Sequence, residues 1–253
     1  MSANPRHFFI IGAQRCSTTY LYHILAAHPQ IEMAQPVRPE PKFFLREDFA
    51  QLTPQDYLAA HFDEAQKPLL RGEKSTTYIE RDEAARRIAA WYPDAAIVIS
   101  LRDPIARAVS NYRFSRDNGL ETAPLDEAFY NEAVRSQQYD RARFSTSPFA
   151  YLQRGRYMDY IEVYLRYFPR EQVHIFLAEE YVGQLAGVQA IYRALGADSA
   201  FVPPNYAQRY NASAGERDPL PPKLVAYLQD YYAESNARLA AFLGHDLRCW
   251  AVK

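Results

Sequence analysis

Apolar residues fall in short runs separated by longer stretches of helical period. Residues 7–11 form one such run, ending at Gly12, the pattern of a strand buried in a sheet. Residues 18–27 follow, with Leu21, Ile24 and Leu25 at helical spacing. A second short run over 69–71 meets Gly72. Residues 81–92 place Ala85, Ile88, Ala89 and Tyr92 on one helical face. Residues 95–101 carry the strongest strand signal, an apolar run of the kind covered on both faces. It leads into Asp103-Pro104, a capping residue followed by a proline at the first helical position. Further on, 156–168 reads as an amphipathic helix, 173–177 as a strand, and 185–195 and 222–242 as helices. Strands alternating with helices of this length predict an α/β fold, a central parallel sheet with helices on both faces. Residues 115–150 are polar with weak periodicity and are expected to form an excursion over one end of the sheet. No repeat or low-complexity linker breaks the pattern, so a single domain over 1–253 is expected.

Composition narrows the function classes. Hydrophobic residues make up 48% and charged residues 23%, which excludes disordered and fibrous architectures. Twenty-nine basic residues face 30 acidic ones, a formal charge of −1, so no global positive field attracts nucleic acid and an anion site must be local. Cys16 and Cys249 lie at opposite ends, and the six histidines show no paired metal spacing, so neither a disulfide framework nor a metal site is expected. The apolar run near the N-terminus is too short for a signal peptide, and no window approaches a membrane span. A cytoplasmic, reduced protein is the expectation. With 9 glycines in the chain, those at strand ends are the informative ones.

The segment Gly12-Ala13-Gln14-Arg15-Cys16-Ser17-Thr18-Thr19 reads as a tight loop between a strand and a helix start. Such a loop aims backbone N–H groups and the positive end of the helix dipole at one point. Small hydroxyl residues leave room for a phosphate, and Arg15 supplies full charge. One alternative is an ordinary connection with Ser17 or Thr18 as N-cap. Another is an ATP-using small-molecule kinase, but the pattern G-x-x-x-x-G-K-[ST] would put its last glycine and lysine on Ser17 and Thr18. The loop suits a different anion. A second cluster, Arg102-Asp103-Pro104 with Ser110, follows the strand at 95–101, where ligands of open α/β sheets bind. There a guanidinium and a hydroxyl can hold a second phosphate.

Residues 12–22 (GAQRCSTTYLY) resemble the 5′-phosphosulfate loop of sulfotransferases that use 3′-phosphoadenosine 5′-phosphosulfate (PAPS), and Arg102-Asp103-Pro104 with Ser110 resembles their 3′-phosphate motif. Two further segments are similar to the carbohydrate branch, typified by heparan sulfate sulfotransferases, and to its bacterial relatives. Residues 38–44 (RPEPKFF) resemble K-E-x-H-F-F, which carries the catalytic glutamate. Residues 73–78 (EKSTTY) resemble E-K-[ST]-P-x-Y-F, whose lysine serves the active site. Residues 214–219 align with a late phosphate-binding loop of K-G-R type. Order and spacing agree over 7–114 and 151–250. Departures from the family pattern are Arg15 for lysine, Ser17 for glycine, Lys42 for histidine, and Ala214 and Glu216 for cations.

The resemblance implies a P-loop-like three-layer fold and in-line transfer of a sulfuryl group from PAPS to a hydroxyl, leaving adenosine 3′,5′-bisphosphate (PAP) and needing no metal. Arg15, Glu40 and Lys74 would be catalytic, with Glu40 the general base. Arg15, Cys16, Ser17, Thr18, Thr19, Arg102, Ser110, Gly215 and Arg217 would hold the nucleotide, and Lys42 the acceptor. The acceptor class is a saccharide or a small-metabolite hydroxyl. A PAP-binding module without turnover is the non-enzymatic alternative. Cys16, beside Arg15 at a helix start, is expected to be a reactive thiol. Tyr112, Tyr151 and Tyr157 are expected in core packing, with stacking on a sugar as their alternative use.

Overall fold

The computed structural model describes residues 5–63, 65–140, 146–208, 210 and 219–250. The chain divides into two units, each made of two segments. Met1–Leu101 joins Ile161–Asn211 in the first, and Arg102–Tyr160 joins Ala212–Lys253 in the second.

The first unit holds the sheet. Its strands are β1 (Arg6–Gly12), β2 (Ile31–Met33), β3 (Leu70–Lys74), β4 (Ala96–Leu101) and β5 (Val173–Leu177). They pair in the order β2-β3-β1-β4-β5, every pair parallel. Helices α1 (Thr18–Ala26), α2 (Pro54–His61), α3 (Asp82–Trp91), α8 (Ala178–Tyr181) and α9 (Leu185–Leu195) cover it, as strands buried on both faces require. On one face Phe8, Ile10 and Val98 pack with Leu21, Ile24 and Leu25 of α1 and with Val188, Ile191 and Tyr192 of α9. On the other, Phe9 meets Phe44 and Tyr92 with ring centroids 5.3 and 5.7 Å apart. Alternation along β1 therefore decides the two layers: Phe8 and Ile10 point one way, Phe9 the other. Each such buried ring contributes about 2 kcal/mol of hydrophobic stabilisation.

Two glycines let the site's strands run close to their neighbours. A Cβ on Gly72 would stand 2.1 Å from Phe8 Cζ, and one on Gly12 would stand 2.8 Å from Ile79 Cγ2.

The second unit is helical among its described residues. It contains α4 (Pro104–Asp117), α5 (Leu125–Tyr130), α6 (Glu132–Arg135) and α10 (Pro222–Leu243). Ile105, Ala108 and Val109 of α4 pack with Phe129 of α5, Tyr151, and Leu224, Leu228 and Tyr232 of α10. Helix α7 (Tyr157–Tyr164) carries the chain from the second unit back to the first.

Most expected elements stand within a residue or two of their sequence limits. The helix expected over 156–168 is shorter: it ends at Tyr164 and gives way to turns over 165–167 before Pro169. Strand β2 and helix α2 were not expected. β2 has three residues, too few to show a period. The residues 115–150 hold the end of α4 together with α5 and α6.

Candidate active site

The first element of the site is the loop between β1 and α1. The Ala13 N–H donates to the Ser100 carbonyl of β4 at 2.8 Å, so the chain leaves the sheet tied to the neighbouring strand. The Ser100 hydroxyl donates to the Cys16 carbonyl, and Tyr181 lies 2.6 Å from the same hydroxyl. Arg15 (φ 67°) and Ser17 (φ 58°) take left-handed conformations, turning the backbone so that α1 starts at Thr18. Ser17 makes no side-chain cap bond, and the first turn of α1 contains no acidic residue. The alternative of an ordinary connection capped by Ser17 is met only in position: Ser17 stands at the N-cap, but its side chain does not cap the helix. An N-terminus without a side-chain acceptor or a negative charge suits an anion supplied from outside. The left-handed geometry of Ser17 also explains why a glycine fits that position in related loops.

Cys16 corrects one expectation. Its side chain is 0% exposed, with Sγ 3.7 Å from the Gln14 carbonyl oxygen. It packs inside the loop, away from solvent. Its backbone remains part of the turn.

The second element comes from β3. The β1–β3 register sets Ile10 opposite Lys74, and the Ser75 N–H donates to the Ile10 carbonyl at 3.1 Å. Lys74 thus emerges beside the loop at the carboxyl edge of the sheet, the edge at which open α/β sheets bind ligands. Its ammonium forms an ion pair with Glu40. The other Glu40 oxygen accepts from the Thr76 N–H at 2.8 Å and the Thr76 hydroxyl at 3.0 Å. The Lys42 N–H donates to the Ser75 hydroxyl oxygen at 2.9 Å, and that hydroxyl donates to Glu73 at 2.6 Å. The Phe44 N–H donates to Tyr78 at 3.0 Å. Residues 74–78 therefore grip residues 40–44 at successive points: Glu40 by its carboxylate, Lys42 and Phe44 by their backbone. Lys42, at φ 49°, is the third non-glycine residue with positive φ among the described residues, after Arg15 and Ser17. All three lie in the candidate site.

Burial shapes the electrostatics. Glu73 is 1% exposed, and desolvation pushes its carboxyl up to about 7, against the hydrogen bond from the Ser75 hydroxyl that favours ionisation. His23, on α1, is pushed below its ordinary value by partial burial and then by the positive charges of Lys74 and Arg38. A neutral imidazole at neutral pH follows, its ring stacked 4.4 Å from that of Tyr210. Sequence reasoning missed His23, Ser75, Thr76 and Ser100 as parts of the site. The one signal for Ser100 was a hydroxyl inside an apolar strand; the Ser75 and Thr76 contacts exist only through tertiary pairing.

The second unit contains Arg102 and Ser110. Arg102 stands at the start of the unit, and its carbonyl accepts from the Tyr157 hydroxyl at 2.7 Å. Asp103 caps α4 as expected, accepting from the Ile105 N–H at 2.8 Å. Ser110 lies further along α4, half-buried. Tyr112, Tyr151 and Tyr157 are buried, and the first two belong to the core of this unit. Packing is their role, as expected. Gly215 and Arg217 lie outside the described residues.

The sequence model of the Sulfotransferase family matches residues 5–198. The chain belongs to this family. Among its relatives is heparan sulfate glucosamine 3-O-sulfotransferase 3B1 of Mus musculus, 29% identical over 182 residues, with 70% of this chain and 42% of the mouse protein covered. Another is bifunctional heparan sulfate N-deacetylase/N-sulfotransferase 3 of Homo sapiens, 31% identical over 173 residues, covering 66% of this chain and 19% of the human protein. The chain thus spans less than half the length of these two relatives. A crystal structure of a sulfotransferase from Alicyclobacillus acidocaldarius matches with a TM-score of 0.78 and 29% identity over 98% of this chain and 99% of that one. The parallel-sheet α/β fold is that of the sulfotransferases, and sulfuryl transfer is the chemistry of the family. Among the described residues no helix is long and apolar enough to cross a membrane.

Proposed function

We propose that the chain moves a sulfuryl group from PAPS to a hydroxyl acceptor. One observation supports this reading above the rest: the Glu40–Lys74 ion pair stands at the carboxyl edge of β3, beside the strand that ends in the anion-suited loop. A base and a cation are thereby paired where a donor's phosphosulfate would sit. In this reading the Cys16–Thr19 backbone and Arg15 hold the 5′-phosphosulfate. Arg15 in place of lysine keeps the charge and offers a planar fork to phosphate oxygens.

Sulfuryl transfer resembles phosphoryl transfer, with attacking and leaving oxygens in line across a planar group. The acceptor O–S bond forms as the bond from sulfur to the phosphate oxygen breaks, and the acceptor's proton passes to Glu40. Negative charge grows on the leaving oxygen, where Lys74, Arg15 and the loop N–H groups stabilise it. In this reading Lys42, two residues beyond Glu40, would contact the acceptor. Arg102 and Ser110, assigned from sequence order and the family resemblance, would hold the 3′-phosphate. Relatives named for heparan sulfate favour a saccharide acceptor, with a small-metabolite hydroxyl as the other class.

Calorimetry with PAP, ADP and AMP tests the donor. The expectation is PAP binding about tenfold or more tighter than AMP, a difference of about 1.4 kcal/mol or more. Arg102→Ala should weaken PAP and leave AMP little changed. Equal affinity for PAP and AMP would overturn the donor assignment.

A further inference from the structure

Glu73 is absent from the chemistry above, yet it is the most unusual carboxyl in the first unit. It is fully buried, and Tyr57 from α2, Tyr78 from the turn after β3, Tyr92 from the end of α3 and Tyr164 from α7 all interact with it electrostatically. Glu40 adds a negative charge nearby. A carboxyl in such surroundings is costly to bury, and the one hydrogen bond it accepts, from Ser75 to Oε1, only partly offsets that cost, since Oε2 has no hydrogen-bond partner among the described residues. A residue retained there for packing alone would be better replaced by an apolar one.

Its hydrogen bond with Ser75 leads to the site. Glu73 Oε1 accepts from the Ser75 hydroxyl at 2.6 Å. A serine hydroxyl has one hydrogen and two lone pairs, and it rotates to suit its partners. With the hydrogen committed to Glu73, a lone pair is left for the Lys42 N–H, 2.9 Å away. Lys42 is held there in a left-handed conformation two residues after Glu40. Such a conformation persists only where its surroundings fix it.

We propose that Glu73 is a positioning residue for Glu40, acting through Ser75: its carboxyl oxygen orients the Ser75 hydroxyl, which anchors the Lys42 N–H and thereby the turn that carries Glu40. Thr76 and Lys74 hold the Glu40 carboxylate itself; Glu73 and Ser75 hold the backbone on which it rides. The inference rests on the assignment of Glu40 as base.

The test compares Ser75→Ala, Glu73→Ala and Glu73→Gln with the parent, using radiolabelled PAPS and a glucosamine-containing oligosaccharide. Both alanine variants should lower kcat about tenfold with the KM for PAPS little changed, since the donor loop is untouched. Their double variant should be no slower than either alone, because the two residues act in series. Glu73→Gln keeps an oxygen that accepts from Ser75 and should restore most of the loss. Hydrogen exchange needs no acceptor: amides in residues 40–44 should exchange faster in the alanine variants than in Glu73→Gln. A PAP-induced rise in melting temperature shows that each variant is folded and binds nucleotide. Parental kcat and exchange in Ser75→Ala, beside an inactive Glu40→Gln, would overturn this proposal alone. Glu73→Gln as slow as Glu73→Ala would also overturn it, showing that charge and not orientation matters. Full activity of Glu40→Gln would remove the base assignment on which the proposal stands.

Discussion

Strain at single residues marks the site. Arg15, Ser17 and Lys42 each hold a left-handed backbone without being glycine, at a cost of about 1–3 kcal/mol apiece. The contacts that hold them come from elsewhere in the chain: Ser100 ties down the Arg15–Ser17 loop through Cys16, and Ser75 ties down Lys42. Ser17 makes no side-chain cap bond, so its replacement by glycine should relieve strain without removing a capping contact. Relief of about 1–2 kcal/mol exceeds the added unfolded-state entropy of about 0.4–1 kcal/mol. Ser17→Gly is therefore expected to be more stable by about 0.5–1 kcal/mol in urea melts, with PAP affinity retained. A loss of stability would show that the Ser17 hydroxyl makes a contact the fold needs.

At the scale of elements, the site depends on how closely β3 and β1 approach. Gly72 lies on β3 two residues before Lys74, and a side chain there would press into Phe8. Gly72→Ala should cost about 1–3 kcal/mol through overpacking, read as a lower denaturation midpoint at unchanged slope. The strands themselves were legible, because Phe8–Ile11 and Ile97–Ile99 are apolar runs that only a sheet covered on both faces explains. The loop was legible too, from a glycine at a strand end followed by small hydroxyl residues. Helix α2 carries a sequence signal as well, Thr53-Pro54 with Asp56, a capping box. The Glu40–Lys74 pair was a different matter. These residues are 34 positions apart, and no periodicity joins them; motif resemblance alone brought them to notice. The contact of Ser75 with Lys42 and the influence of the cations Lys74 and Arg38 on His23 need the folded chain to exist at all.

For the whole molecule, two buried groups give stability opposite dependences on pH. Glu73 titrates near 7 in the folded chain, against 4.5 as its ordinary value. The folded state holds its proton more tightly, so this group lowers stability as pH rises from about 4.5 to about 7, by roughly 3 kcal/mol in all. His7 behaves in the reverse sense. Burial and then the Arg71 charge push it down to about 4 from 6.5, so stability falls as pH drops through that window. Over their shared range the two slopes oppose one another. Glu73→Gln removes one of them. Its stability should rise with pH between 4.5 and 6.5 more steeply than the parent's, and at pH 8 it should exceed the parent by up to roughly 3 kcal/mol. Parallel stability curves for variant and parent would contradict the burial of an ionisable Glu73.

The role proposed for Glu40 is to accept the proton of a hydroxyl attacking a sulfuryl group. Transfer of labelled sulfate from PAPS, compared between the parent and Glu40→Gln across saccharide and small-molecule hydroxyl acceptors, tests it directly. Glutamine keeps the size of the side chain and an oxygen for Thr76, but it cannot take the proton. The expected outcome is labelled acceptor and released PAP in equal amounts from the parent, and a rate lower by about 10²–10⁴ in the variant with PAP affinity little changed. Sulfate transfer by Glu40→Gln at the parental rate, with chemistry limiting, would contradict it.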